Sequence, residues 1–134
     1  MQLILWDKML SLDGNTAPYL MYSFARCRSI QRKGEVVASL EGCGVVGPFE
    51  RTLALQLIRL GEVVASATAA HRPNLLCDYL FETANVFNRF YREERVLGAE
   101  TDTDRQRRLA LVEASARVFE RGFGLLGIKP LERM

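Results

Sequence analysis

The sequence predicts an all-α fold, a bundle of about four to five amphipathic helices. Apolar residues recur at helical spacing in four separate stretches, and cap and stop residues bracket those stretches. Only Glu35 to Leu40 competes as a strand, and one strand cannot make a sheet. At 134 residues the chain reads as one domain, 1–134, long enough to bury a core.

Residues 1–14 form a short lead-in that closes in Ser11-Leu12-Asp13-Gly14-Asn15-Thr16, a cluster of turn and cap residues. Asn15 or Thr16 can cap a first helix, Pro18 is tolerated in its opening turn, and Gly34 follows its end near Lys33. Residues 34–47 read as a glycine-rich connection. Pro48-Phe49-Glu50 opens a second helix, with Leu53, Leu57, Leu60 and Val64 on one face and Gly61 as a bend or break. A third helix starts near Pro73-Asn74 and carries the series Leu76, Leu80, Thr83, Phe87 and Phe90. Val96 to Asp104 reads as a loop, and Thr103 with Gln106 forms a capping box for a fourth helix. Leu109, Val112, Ala116, Phe119, Phe123 and Leu126 hold one face of it, and Gly127 and Pro130 stop it.

Composition narrows the function classes. A hydrophobic share of 49% with 25% charged residues suits a folded globular chain and argues against disorder. A net charge of +2 is too small to name a partner, so nucleic-acid binding would need local clustering of cations. No apolar run approaches the roughly 20 residues of a membrane span, and the N-terminus lacks a signal-peptide pattern. Cys27, Cys43 and Cys77 are odd in number, widely spaced and without CxxC, which fits a reducing cytoplasm better than a disulfide framework. With His71 as the sole histidine there is no metal signal.

The first helix has two unlike faces. Leu20, Phe24, Cys27 and Gln31 gather on one side at about 100° per residue. Tyr19, Tyr22, Arg26, Ser29 and Lys33 gather nearly opposite, with Arg28 on the flank. Rings followed by cations suit a single-stranded nucleic acid, since rings stack on unpaired bases and cations hold phosphates. A solvated basic face with two tyrosines at a bundle edge fits the same spacing. Gly42-Cys43-Gly44-Val45-Val46-Gly47 matches GxGxxG, but that fingerprint needs a βαβ unit, and only helical patterns follow Pro48. Asp78 and Glu82 read as surface charges, and Glu113 shows no evident partner. No catalytic centre emerges.

A resemblance then enters. The string Asp7-Lys8-Met9-Leu10-Ser11-Leu12-Asp13-Gly14-Asn15-Thr16-Ala17-Pro18-Tyr19-Leu20, with Tyr22 and Ala25-Arg26-Cys27-Arg28-Ser29-Ile30, resembles the opening of the C-terminal, DALR-type anticodon-binding domain of arginyl-tRNA synthetases. Leu76-Cys77-Asp78-Tyr79-Leu80-Phe81-Glu82 through Phe87-Asn88-Arg89-Phe90-Tyr91 resembles that domain's third-helix signature. Gly124-Leu125-Leu126-Gly127-Ile128-Lys129-Pro130-Leu131-Glu132-Arg133-Met134 resembles its terminus. The weakest fit is Glu35 to Gly47.

The resemblance implies a class I, cytoplasmic ligase that joins arginine to its tRNA using ATP and magnesium, and that reads the anticodon stem-loop with this helical domain. It implies that Tyr19, Tyr22 and Arg26 line the anticodon pocket, that Met134 closes it, that Phe87, Arg89 and Tyr91 lie on the matched third helix with Phe87 belonging to the core, and that Asp13, Gly14, Asn15 and Thr16 form a loop that moves when tRNA binds. The HIGH-like and KMSKS-like motifs of the family's catalytic half do not occur here. The chain is therefore expected to hold no cofactor, to be inactive alone, and to partner that catalytic half. Two rivals stand beside this reading: a free-standing helical module for RNA or protein, and nucleotide binding through the glycine run.

Overall fold

The computed structural model describes residues 6–11, 13–34 and 44–134. The strand alternative at Glu35 to Leu40, the glycine run as far as Cys43, and the start of the lead-in lie outside the described residues. All regular structure among the described residues is helical, in the order α1 (Trp6–Met9), α2 (Ala17–Gly34), α3 (Pro48–Ile58), α4 (Leu60–Ala70), α5 (Asn74–Glu93) and α6 (Asp102–Leu125). Helices α5 and α6 sit at the centre: α2 and α3 each pack on both, and α4 packs on α5.

The core is the sum of the expected apolar stripes. Phe24, Leu53, Leu80, Phe87, Phe90, Leu109, Val112, Phe119 and Phe123 are fully buried, and Leu126 is half-buried. Phe24 meets Phe123 edge-on with ring centroids 6.2 Å apart, tying α2 to α6. Helices α5 and α6 approach closely at Gly122, where a Cβ would stand 2.6 Å from Leu80 Cδ2. At the end of α2, a Cβ on Gly34 would stand 2.5 Å from Leu109 Cδ2, so close packing rather than a left-handed turn calls for glycine there.

The helix ends follow known chemistry, with two shifts from the expected positions. Thr16 caps α2, its Oγ1 accepting from the Tyr19 N–H at 3.4 Å. The α6 cap is Thr101 and not Thr103: Thr101 Oγ1 accepts from the Asp104 N–H at 3.1 Å, and the helix starts at Asp102. Asp102 and Asp104 then fall in the first turn, where the helix dipole favours negative charge. The break in the second apolar stretch falls at Arg59, two residues before Gly61. At the other end of α6 the Ile128 N–H donates to Phe123 O at 2.8 Å and the Gly127 N–H to Gly124 O at 3.2 Å, with Gly127 at φ +73°. That is a Schellman motif with glycine in the left-handed position. Helix α4 ends in the same pair of bonds, but His71 occupies the left-handed position at φ 52°.

Contrary to the expectation from sequence, Pro48–Ala70 is long and apolar enough to cross a membrane by length and composition, its 23 residues containing a window of mean hydropathy 1.3. The chain uses this stretch as two helices joined at Arg59, with Leu53 and Leu57 in the core and Leu55 and Ile58 exposed.

An ionic cluster holds α3 to α6. Glu50 is fully buried. Its carboxylate accepts from Arg107 Nε at 2.7 Å, from Arg107 Nη2 at 3.2 Å, from Arg108 Nε at 3.0 Å and from the Val46 N–H at 3.3 Å. Burial pushes this carboxyl up, but the hydrogen bonds from Arg107, Arg108 and Val46 outweigh it and hold the group at about 2. Arg107 also pairs with Asp104, and Arg108 pairs with Glu94 at 2.9 Å while donating to Arg95 O at 2.9 Å. Glu113, read from sequence as lacking a partner, accepts from Gln31 and from Arg117 Nε.

Candidate nucleic-acid interface

Helical spacing puts Tyr22, Arg26, Ser29 and Lys33 on one line of α2, and the structure opens a cavity along that line. Its volume is about 450 Å³, and Tyr22, Arg26, Ser29, Lys33 and Met134 all line it. These are five of the seven residues expected to touch nucleic acid. Three other elements complete the walls. Tyr91 comes from α5, Leu97 from the loop that follows it, and Arg133 from the C-terminal tail beside Met134. Arg32 adds a further cation from α2.

Arg26 is the centre of this cavity. Its guanidinium carbon lies 4.8 Å from the Tyr22 ring centroid and 5.4 Å from that of Tyr91. Both distances are within cation–π range. Arg26 Nη2 donates to the Tyr22 hydroxyl at 2.8 Å and Nη1 donates to Asn88 Oδ1 at 2.9 Å. Tyr91 is in turn backed by the buried Phe87, with ring centroids 6.4 Å apart and planes 12° apart. Tyr22 and Tyr91 remain 43% and 36% exposed, so part of each ring is open to a planar ligand. Cationic groups with rings open to solvent are what an unstacked base and its phosphates need.

Two expected residues lie elsewhere. Tyr19 is half-buried outside the cavity, its ring edge-on to Phe81 at 5.8 Å and its hydroxyl donating to Asn85 Oδ1 at 2.7 Å. It lies seven residues before Arg26, about 10 Å up the helix axis, and packs against α5 instead. Arg89 is exposed on the opposite side of α5, its guanidinium 5.2 Å from the Phe49 ring, in a separate groove lined by Phe49, Thr52 and Val86. The loop of Asp13, Gly14, Asn15 and Thr16 is also apart from the cavity. Gly14 takes φ +85°, which only glycine accepts readily, and Asn15 Nδ2 donates to Asp78 Oδ1 at 3.0 Å. Tyr91, placed by the resemblance on the third helix with Arg89, lies one turn beyond Phe87 and does line the cavity. Of the lining residues not singled out from sequence, Arg133 stood in the matched terminus beside Met134, and Leu97 carried no local signal.

The described part of the glycine run ends at the N-terminus of α3, and the Glu50 carboxylate already accepts the Val46 N–H there. One N–H that a phosphate at this helix end would need is therefore already given to a carboxylate, which disfavours nucleotide binding at this turn. Burial pushes the Cys27 thiol up, and burial followed by the Asp78 charge does the same for Cys77; neither is activated as a nucleophile. Cys43 lies outside the described residues.

Residues 20–134 match the family described as the DALR anticodon binding domain. The chain is 46% identical over 132 residues to the arginine–tRNA ligase of Synechococcus elongatus, covering 96% of this chain and 22% of that protein. It is 41% identical over 135 residues to the arginine–tRNA ligase of Alcanivorax borkumensis, again covering 96% of this chain and 22% of the relative. The solved Thermus thermophilus arginyl-tRNA synthetase superposes with a TM-score of 0.84 at 35% identity, over 93% of this chain and 22% of that one. The chain thus spans about a fifth of the length of the relatives it matches.

Proposed function

The chain belongs to the DALR anticodon-binding domain family, and on that premise we propose that it reads the anticodon of an arginine tRNA for an arginine–tRNA ligase. The observation that carries this reading is the convergence of Tyr22, Arg26, Ser29, Lys33, Tyr91 and Met134 on one basic, aromatic cavity. A volume of about 450 Å³ lies within the roughly 300–1,000 Å³ of small-molecule sites and admits an unstacked base.

The mechanism is recognition. An anticodon base leaves the stack of its loop and enters the cavity, where the ring of Tyr22 or Tyr91 stacks on it. The guanidinium of Arg26, held between the same rings, offers hydrogen bonds to a base edge or a phosphate, and Lys33 and Arg32 offset the backbone charge. Tyr19, also expected to stack, instead supports the wall through α5. ATP, magnesium and the arginine site belong, on this reading, to the catalytic part of the ligase, which is this domain's partner in the cytoplasm. The chain alone forms no arginyl-adenylate. Ligases that carry this domain favour the tRNA reading over a free-standing module.

The test is binding of the chain to arginine tRNA and to an anticodon-swapped control across a salt series. The reading expects tighter binding of the arginine anticodon at every salt concentration. Steep salt dependence with equal affinities means phosphate contact alone and refutes it.

A further inference from the structure

The amide of Asn88 uses both of its donors and its oxygen. Its Oδ1 accepts from Arg26 Nη1 at 2.9 Å, and its Nδ2 donates to Ser23 Oγ at 3.1 Å and to the Tyr19 hydroxyl at 3.2 Å. Both hydroxyls have already spent their protons. Ser23 Oγ donates to Tyr19 O at 3.1 Å, and the Tyr19 hydroxyl donates to Asn85 Oδ1 at 2.7 Å. Each can therefore only accept from Asn88. A flipped amide would set its donors against the Arg26 donor and its acceptor against two oxygens with no proton to give. Donation in the network thus runs one way, from Arg26 to Asn88, from Asn88 to Tyr19 and Ser23 on α2, and from the Tyr19 hydroxyl to Asn85 on α5.

That direction matters for Arg26. A long cation beside an open cavity samples many rotamers when free, and ordering it on binding costs affinity. Asn88 holds one Nη, the Tyr22 hydroxyl holds the other, and the Tyr22 and Tyr91 rings both lie within cation–π range. We propose that Asn88 is a positioning residue for nucleic-acid recognition: it fixes the Arg26 guanidinium between Tyr22 and Tyr91 before a ligand arrives. This rests on the reading of the cavity as the anticodon pocket. It also gives Tyr19 a role, since the tyrosine hydroxyl orients the amide that orients the arginine.

A double-mutant cycle tests it, with the 134-residue chain titrated against a synthetic arginine-tRNA anticodon stem-loop at fixed ionic strength. Asn88→Leu is expected to weaken binding about tenfold, the effect of losing a hydrogen bond to a charged group. Arg26→Ala is expected to weaken it at least as much. The double variant is expected to bind within about twofold of Arg26→Ala, because an arginine that is absent cannot be mispositioned. Asn88→Ala removes the amide without adding bulk, and the same roughly tenfold loss is expected of it even if Asn88→Leu folds poorly. Independent, multiplying losses in the double variant would overturn the proposal, as would an Asn88→Leu variant that binds normally while Arg26→Ala does not. Normal binding by Arg26→Ala would instead overturn the anticodon-pocket reading on which the proposal rests.

Discussion

Replacing Glu50 with glutamine isolates the buried ionic cluster without changing its shape. The carboxylate accepts four hydrogen bonds from Arg107, Arg108 and Val46 and is fully shielded from water. Glutamine keeps one acceptor oxygen and turns an amide N–H₂ toward guanidinium donors. Removing one partner of a buried ion pair costs about 3–5 kcal/mol, because the remaining charge stays buried. Arg107 keeps Asp104, and Arg108 keeps Glu94 and Arg95 O, so the low end applies, about 3 kcal/mol. The protonation balance leads to the same size: a carboxyl held at about 2 against an ordinary 4.5, at about 1.4 kcal/mol per pH unit, gives about 3 kcal/mol. Urea unfolding followed by circular dichroism at pH 7 measures it. With a slope of about 1–3 kcal/mol per molar, the midpoint should fall by about 1–3 M. Because the folded group holds its proton less tightly than the unfolded one, the contribution is complete above about pH 4.5 and fades as pH falls through about 2. The gap between the two proteins should therefore close between those limits. A loss under about 1 kcal/mol at pH 7, or a gap that widens in acid, refutes the reasoning.

Three further outcomes follow from the packing and the cavity. Gly122→Ala should lower stability by about 1–3 kcal/mol in thermal unfolding despite alanine's better helix propensity, because its methyl would stand 2.6 Å from the fully buried Leu80. His71→Gly should raise stability by about 1 kcal/mol, since φ 52° strains a side-chain-bearing residue and glycine adopts it freely; no rise in melting temperature would show that the strain is offset locally. Tyr22→Ala and Tyr91→Ala should each remove about 1–3 kcal/mol of binding to arginine tRNA, whereas Tyr19→Phe, which removes one of the two acceptors that orient Asn88 and leaves Ser23 Oγ, should weaken it only about two- to threefold. A Tyr19→Phe loss that persists in the Arg26→Ala background would show that the Tyr19 hydroxyl reaches the ligand directly and not through Asn88 and Arg26.

The helices were legible because burial repeats every three or four residues, and that repeat survives with no knowledge of neighbours. Leu109, Val112, Ala116, Phe119 and Phe123 formed a stripe in sequence and are all buried. The caps were less legible, because Thr101 and Thr103 both precede acceptable partners and sequence does not say which threonine the helix uses. Glu50 was invisible as a core residue. An acid one residue after Pro-Phe reads as a charge placed for the helix dipole. Its burial depends on Arg107 and Arg108, more than fifty residues away, and no local pattern announces that pairing.

The cavity divides in the same way. Tyr22, Arg26, Ser29 and Lys33 share one helix, so spacing alone aligned them. The contribution of α5 required knowing which arc of that helix faces α2. Asn88, Arg89 and Tyr91 are near neighbours in sequence, yet at about 100° per residue Asn88 and Tyr91 lie about 60° apart, while Arg89 turns the other way. Arg89 and Val86 are themselves about 60° apart, and both border the groove beside Phe49. Buried Phe87 and Phe90 mark the inward direction but leave its two flanks equivalent in sequence. The path of the chain decides between them: α2 takes the flank of Asn88 and Tyr91, and α3 takes the flank of Arg89. The side of α5 that α2 occupies therefore decides which of two exposed side chains, Tyr91 or Arg89, joins Arg26.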